Sequence, residues 1–237
     1  MNILIIPDVH GRPFWRKAKE LTNQYQQIIF LGDYLDPYSY ENITPDMAYA
    51  EFLDIIKFKK KYPKKVTLLL GNHDLHYLLP LFVPSSRKNY LKAAEYQKVF
   101  EENKELFTCF KTVKSFNHKW IFSHAGITQG WLRQNKLLLA ELLEMPLEEL
   151  LNHKGHKYIK LLEQVSYYRG GINKWGSPVW MDIHEELKSP MVIDDKTTQI
   201  VGHNQLAEGI YKRDGVYFTD CRKLISLNTK TKEVSYA

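Results

Sequence analysis

The hydrophobic positions of this chain fall into short runs separated by loops rich in Gly, Asp, His and Asn. Asn2–Pro7 is a brief apolar, β-branched run and reads as a buried strand. Pro13 is placed to open a helix reaching about Asn23. Gln27–Leu31 is a second apolar run, stopped by Gly32. Thr44-Pro45-Asp46 combines a hydroxyl cap, a first-turn proline and an acid, so a helix is expected to start there. Phe52, Leu53, Ile55 and Ile56 give that helix an apolar face, and Pro63 closes it. Val66–Leu70 is a third buried strand, ended by Gly71. Strands alternating with helices predict an α/β layered fold. Ligands in such folds bind outside the carboxyl ends of the strands.

Further along, a helical pattern runs from Asn89 to about Glu105. His118–Ser123 reads as a strand, with another near Phe107–Val113. Trp131–Gln164 is Leu-rich, with a break expected at Met145-Pro146. Its acids Glu141, Glu144, Glu148 and Glu149 exclude a membrane span. Tyr167–Pro190 is an irregular loop rich in Gly, Trp and Tyr. Short alternating strands return at Thr198–Val201, Gly209–Tyr211, Val216–Thr219 and Lys223–Leu227. No linker or repeat interrupts the pattern. We therefore expect one domain over 1–237, with a helical insertion at about 127–165 and a Gly/Trp/Tyr-rich loop at about 166–197.

Composition narrows the class. The 237 residues are 44% hydrophobic and 25% charged, as in an ordinary globular protein. The front end lacks the features of a secretory signal, and two cysteines, Cys109 and Cys221, make no disulfide framework. A cytoplasmic setting is expected, with no membrane partner. The net charge of +6 suits an anionic substrate without indicating a nucleic-acid partner. The densest basic run, Lys57 to Lys65, closes a helix, where cations complement the dipole.

The chemistry lies in five loops, each directly after an expected strand: Asp8-Val9-His10-Gly11, Gly32-Asp33-Tyr34-Leu35-Asp36, Gly71-Asn72-His73-Asp74, Ser123-His124-Ala125-Gly126 and Gly202-His203-Asn204. One such loop is commonly a cap. Five in order are difficult to explain by structural needs. Carboxylate, imidazole and amide donors without thiolate favour Mn, Fe, Zn or Ni. A pair of such cations can activate water and hold a phosphoryl oxygen.

As an ordered set these loops resemble the calcineurin-like metallophosphoesterases, over most of the chain. The resemblance implies a central β-sandwich flanked by helices, with the site at the strand carboxyl ends. It implies two divalent metal ions, with manganese expected to serve in vitro. Asp8 and His10 would hold the first metal, Asp33 would bridge, and Asn72, His124 and His203 would hold the second. Many members read Gly-His-x-His at the last motif; here Gln205 replaces the second His. That form, with Asp36, resembles the serine/threonine phosphoprotein phosphatases and their bacterial and phage relatives. In those relatives an acid placed like Asp36 orients the His that follows the metal-binding Asn, here His73. A carboxylate beside an imidazole raises its pKa, which suits protonation of a leaving oxygen.

Two departures stand out. The arginines expected after Asp36 and before Gly71 are replaced by Pro37 and Leu70. Arg169 is the candidate substitute for holding phosphate, the alternative being a surface side chain; Arg133 and Arg87 come next. The segment Gly176–Asp182 resembles the Trp-x-Asp loop of bacterial relatives. Tyr38, Tyr40, Tyr167, Tyr168 and Trp175 could stack a nucleobase or simply pack. The expected function is protein-phosphatase-like hydrolysis of phosphomonoesters on a phosphorylated substrate, phosphoprotein or nucleotide, by in-line attack of a metal-bridging hydroxide, with His73 as acid. Hydrolysis of a nucleotide, a dinucleoside polyphosphate or another phosphodiester is the alternative. A non-catalytic scaffold would be expected to have lost ligands, and all six are present.

Overall fold

The computed structural model describes residues 1–79, 83–136, 148–149, 152, 156–191 and 193–237. The chain is mixed α/β, with two sheets and helices, and divides into two compact units. Unit 1 comprises Met1–Thr108 with Arg222–Ala237, and unit 2 comprises Cys109–Cys221. Unit 1 is built from both ends of the chain. That is why no linker is visible in the sequence: the second unit is inserted within the first.

Unit 1 holds a six-stranded sheet. Its strands are β1 (Asn2–Ile6), β2 (Gln27–Phe30), β3 (Val66–Leu69), β4 (Phe107–Thr108), β10 (Ile225–Asn228) and β11 (Glu233–Tyr236), in the order β11-β10-β1-β2-β3-β4. β1, β2, β3 and β4 run parallel, and β10 and β11 are antiparallel additions on one side. The parallel strands are apolar because both faces are covered: Ile3 to Ile6, Ile28 to Phe30 and Leu68 to Leu69 are fully buried. Each such side chain contributes about 1.5–3 kcal/mol by leaving water. The helix expected after Pro13 forms as a 3-10 turn, Pro13–Arg16, followed by the short α1 (Lys17–Glu20). α2 (Pro45–Lys61) starts as its sequence indicates, with Thr44 Oγ1 accepting from Met47 N at 3.2 Å. Phe52 of α2 packs on Tyr34, Phe100 and Phe107, with ring centroids 5.5, 4.7 and 6.1 Å away. α3 (Asn72–Leu78) leaves the end of β3 directly, and α4 (Ala93–Glu102) fills the pattern that follows Asn89.

Unit 2 holds a five-stranded sheet in the order β5-β6-β7-β9-β8. These strands are β5 (Phe110–Ser115), β6 (His118–Ser123), β7 (Thr197–Val201), β8 (Tyr211–Arg213) and β9 (Val216–Phe218). β6 and β7 are parallel neighbours, so the loops after Ser123 and Val201 emerge at the same end. Buried Gln199 ties the first of these loops down. Its amide accepts from Ile127 N at 2.9 Å and donates to Ile127 O and Met191 O. The expected helical insertion is represented by α5 (Gln129–Gln134) and α6 (His156–Leu162); the break at Met145-Pro146 lies outside the described residues. The described residues of 166–196 are irregular apart from 3-10 turns at Tyr167–Arg169 and Ile183–Glu185. Among the described residues no helix is long and apolar enough to cross a membrane. The strand expected at Gly209–Tyr211 begins later, at Tyr211, because its neighbour β9 sets the register. β11 was not anticipated: its residues are mostly exposed, so it lacks a hydrophobic alternation.

Gly32 has φ +106, and a Cβ there would stand 2.4 Å from the backbone nitrogen of Gly71. Backbone of the loop after β2 therefore touches backbone of the loop after β3. Gly32→Ala is expected to cost about 2–4 kcal/mol, from a left-handed conformation plus overpacking. Urea unfolding would measure it, and an unchanged midpoint would mean that the two loops can separate without loss.

Candidate metal centre

In unit 1 the parallel strands deliver their loops to one edge of the sheet, as expected of carboxyl ends. Asp8, His10 and Asp33 converge there, with one ligand atom of each within 4.8 Å of the others. All three are almost fully buried. His10 Nδ1 donates to Leu35 O at 2.8 Å, which fixes the tautomer and leaves Nε2 as the lone-pair nitrogen, 3.5 Å from Asp33 Oδ2. Burial holds the His10 pKa well below the ordinary value, keeping the imidazole neutral and fit to ligate. Two carboxylates and one neutral imidazole in a buried cluster form a donor set that suits a divalent cation.

The backbone is strained where these side chains converge. His10, Asp33 and Asp36 have φ of 45, 53 and 58, a region that L-residues seldom occupy. At Asp33 a single buried carboxylate holds this geometry. Asp74 Oδ2 accepts from Asp33 N at 2.7 Å and from Gly71 N at 2.8 Å, and Asp74 Oδ1 accepts from Tyr34 N at 3.0 Å. Asp33 Oδ1 in turn accepts from His73 N at 2.9 Å. Asn72 is held by its amide nitrogen, which donates to Ser85 Oγ at 2.9 Å.

Asp36 and His73 meet as the sequence indicated, Nδ1 to Oδ2, at 2.8 Å. The same carboxylate takes two more donors: His76 Nε2 lies 3.0 Å from Oδ2, and Tyr77 Oη donates to Oδ1 at 2.5 Å. His76 Nδ1 accepts from Ser85 N at 3.1 Å, so its Nε2 carries the hydrogen that faces Asp36. Asp36, His73 and His76 also lie close enough together to hold a metal. With donors turned onto the carboxylate, however, they form a hydrogen-bonded network. His73, His76 and Tyr77 sit at i, i+3 and i+4 on α3, which places them on one face. That spacing is the sequence signal through which His76 and Tyr77 could have been found.

Asp36 does raise the His73 pKa, but burial lowers it more, to about 4. The imidazole is therefore neutral near pH 7, with its Nδ1 hydrogen on Asp36.

In unit 2, His124 and His203 follow the parallel pair β6 and β7, and His124 Nε2 lies 3.0 Å from His203 Nδ1. Nitrogens bound to one ion at about 2.0–2.1 Å stand about 3 Å apart, so the pair fits a shared cation. His203 is again left-handed, with φ 64. Gly202 N donates to His124 O at 2.8 Å, joining the two loops. Arg169 Nε is paired with Asp182 at 2.7 Å, and its Nη2 donates to Asn204 Oδ1 at 2.5 Å. Asn204 Oδ1 also accepts from Ile183 N, so Arg169, the Trp180–Ile183 turn and the His203 loop form one network. Trp180 is buried, its ring 6.2 Å from that of His203. Arg133 lies exposed on α5 with its guanidinium on Gln129.

Comparison with known proteins agrees with this fold. A family model described as calcineurin-like phosphoesterase matches residues 1–203, a range that takes in most of both units. No curated protein matches in sequence. A solved cold-active protein tyrosine phosphatase is similar over 99% of this chain and 78% of its own, with a TM-score of 0.56 and 14% identity. A protein serine/threonine phosphatase from Saccharomyces cerevisiae, with similarity to human phosphatase PP5, is similar over 100% of this chain and 79% of its own, with a TM-score of 0.56 and 13% identity. At such identities the likeness is one of fold.

Removing the Asp74 carboxylate would strand three buried N–H groups, at roughly 1–3 kcal/mol for an unsatisfied donor. Asp74→Ala is expected to destabilise the protein by about 3 kcal/mol or more on that basis. Asp74→Asn should cost nearly as much, because its NH₂ would face an N–H donor. Chemical denaturation reads both, and a near-neutral Asp74→Ala would remove the carboxylate from its role as clamp.

Proposed function

The chain belongs to the calcineurin-like phosphoesterase family, and we propose that it hydrolyses phosphomonoesters at a binuclear centre in the manner of the protein phosphatases. Membership makes it a metal-dependent hydrolase of phosphoric esters. The observation that carries the finer reading is the buried Asp8, His10 and Asp33 triad. In this reading Asp8 and His10 hold one divalent cation, Asp33 bridges, and Asn72, His124 and His203 hold the other. The mixed O and N donors favour Mn, Fe, Zn or Ni. Two such ions supply activation of water and charge neutralisation at the phosphoryl oxygens.

The remaining roles fall to the protein. Asp36 holds His73 by Nδ1, so that Nε2 is the nitrogen able to carry a proton to the leaving oxygen. His73 is neutral when buried. The negative charge of a bound phosphoryl group would favour its protonated form. Arg169, close in the chain network to His203 through Asn204, is assigned as a phosphate contact, with Asp182 and Asn204 fixing its planar fork.

Protein reconstituted with Mn²⁺ is expected to carry two ions per chain by elemental analysis. Asp33→Asn should weaken both, whereas Asp8→Asn should weaken mainly one. Equal losses in the two variants, or a parent with one ion, would contradict the assignment of Asp33 as the bridge. The substrate class is read from a panel of phosphopeptides and nucleotides assayed side by side.

His73→Asn should retain metal and lose turnover by roughly 10²–10⁴-fold, the range of general acid catalysis. The loss should shrink for p-nitrophenyl phosphate, whose leaving group needs little protonation. A uniform loss across leaving groups would make His73 a binding residue.

A further inference from the structure

The seven arginines of the chain differ in what offsets their charge. Arg12 and Arg222 both face Glu41, Arg16 faces Glu51, Arg169 faces Asp182 and Arg213 faces Glu186. Arg133 is exposed to water. Arg87 is neither paired with a carboxylate among the described residues nor fully exposed. A partly desolvated guanidinium without an anion is costly unless a site supplies one.

Its position is fixed by three contacts. Nε donates to the carbonyl of Asp36 at 3.1 Å. The guanidinium carbon lies 3.5 Å from the centroid of the Tyr38 ring, a stacked cation–π contact. Nη2 lies against the His10 ring, 3.3 Å from Nε2 and 3.5 Å from Nδ1. The Asp36 carbonyl and the Tyr38 ring belong to the loop that carries Asp33, so they hold the guanidinium at the rim of the triad. The guanidinium therefore stands beside whatever the triad binds.

We propose that Arg87 is the phosphate-gripping cation of unit 1, hydrogen-bonding a non-bridging phosphoryl oxygen of the substrate and of the inorganic phosphate product. This rests on the phosphoesterase reading above. It explains how the chain works with Pro37 and Leu70, neither of which can contact phosphate through a charge. The guanidinium comes from a different segment, after α3, and reaches the same neighbourhood through the Asp36 carbonyl.

The test uses Mn²⁺-loaded protein and inorganic phosphate as probe. Calorimetric titration gives the phosphate dissociation constant, and p-nitrophenyl phosphate hydrolysis gives kcat/KM and the inhibition constant for phosphate. Arg87→Met is expected to weaken phosphate binding about tenfold or more and to lower kcat/KM about 10²-fold, the scale of losing one preorganised donor. Arg87→Lys should recover part of the binding but little of the rate, because an ammonium lacks the planar fork. Elemental analysis should find the metal content of both variants unchanged. Phosphate binding and kcat/KM equal to the parent in Arg87→Met would overturn the proposal, as would loss of metal in step with loss of activity. If the parent hydrolyses no phosphoester, the functional reading fails while the calorimetric comparison still decides whether Arg87 binds phosphate. A parent that binds no phosphate overturns the inference.

Discussion

The Asp74 carboxylate is the contact from which the rest of unit 1 takes its arrangement. It collects the N–H groups of Gly71, Asp33 and Tyr34, one from the loop after β3 and two from the loop after β2. Those N–H groups are turned inward because the two loops approach so closely that Gly32 has no room for a side chain. Burial and the nearby charge of Asp33 push the Asp74 pKa well up, a cost that the three donors partly offset. The return is a pair of loops held in one register, with Asp33 and His73 also joined directly by a hydrogen bond.

That rigidity allows the backbone to keep conformations it would otherwise leave. Four residues of the candidate centre, His10, Asp33, Asp36 and His203, are left-handed and none is glycine. Such residues cost of order 1–3 kcal/mol each and persist where the surroundings over-determine them. Here they aim short polar side chains from strand ends into a common volume within their unit. A regular strand or helix would have turned alternate side chains away.

Electrostatics then separates the roles of groups that are chemically alike. His10 and His73 are both buried imidazoles with Nδ1 engaged, but one Nδ1 faces a carbonyl and the other a carboxylate. The first suits a ligand of fixed tautomer, and the second a group whose proton affinity responds to charge arriving at the site. Asp36 and Asp33 are three residues apart. Asp36 is saturated by two imidazoles and a phenol, whereas Asp33 faces Asp8 and His10. The arginines divide in the same way: Arg12 is neutralised by Glu41, while Arg87 is stacked on Tyr38 with no carboxylate partner among the described residues.

The sequence by itself determined the strand and loop order, the cap at Thr44 and the five polar loops at strand ends, because these depend on local patterning and turn chemistry. It identified the family for the same reason, since the ordered loop motifs are contiguous in the chain. It also paired Asp36 with His73 by resemblance. What it could not determine were contacts between residues distant in sequence. Asp74 acts across 41 residues on Asp33, and Arg87 across 51 on the Asp36 carbonyl. Nothing local distinguishes Arg87 from the other six arginines; only folding decides which of them stands beside the triad without a carboxylate among the described residues. The net His73 pKa is hidden from the sequence for a related reason. The neighbouring acid is visible in the motif, whereas the depth of burial that outweighs it is a property of the packed structure. The insertion of unit 2 within unit 1 and the edge strand β11 likewise depend on pairing between chain ends, which no pattern along the chain encodes.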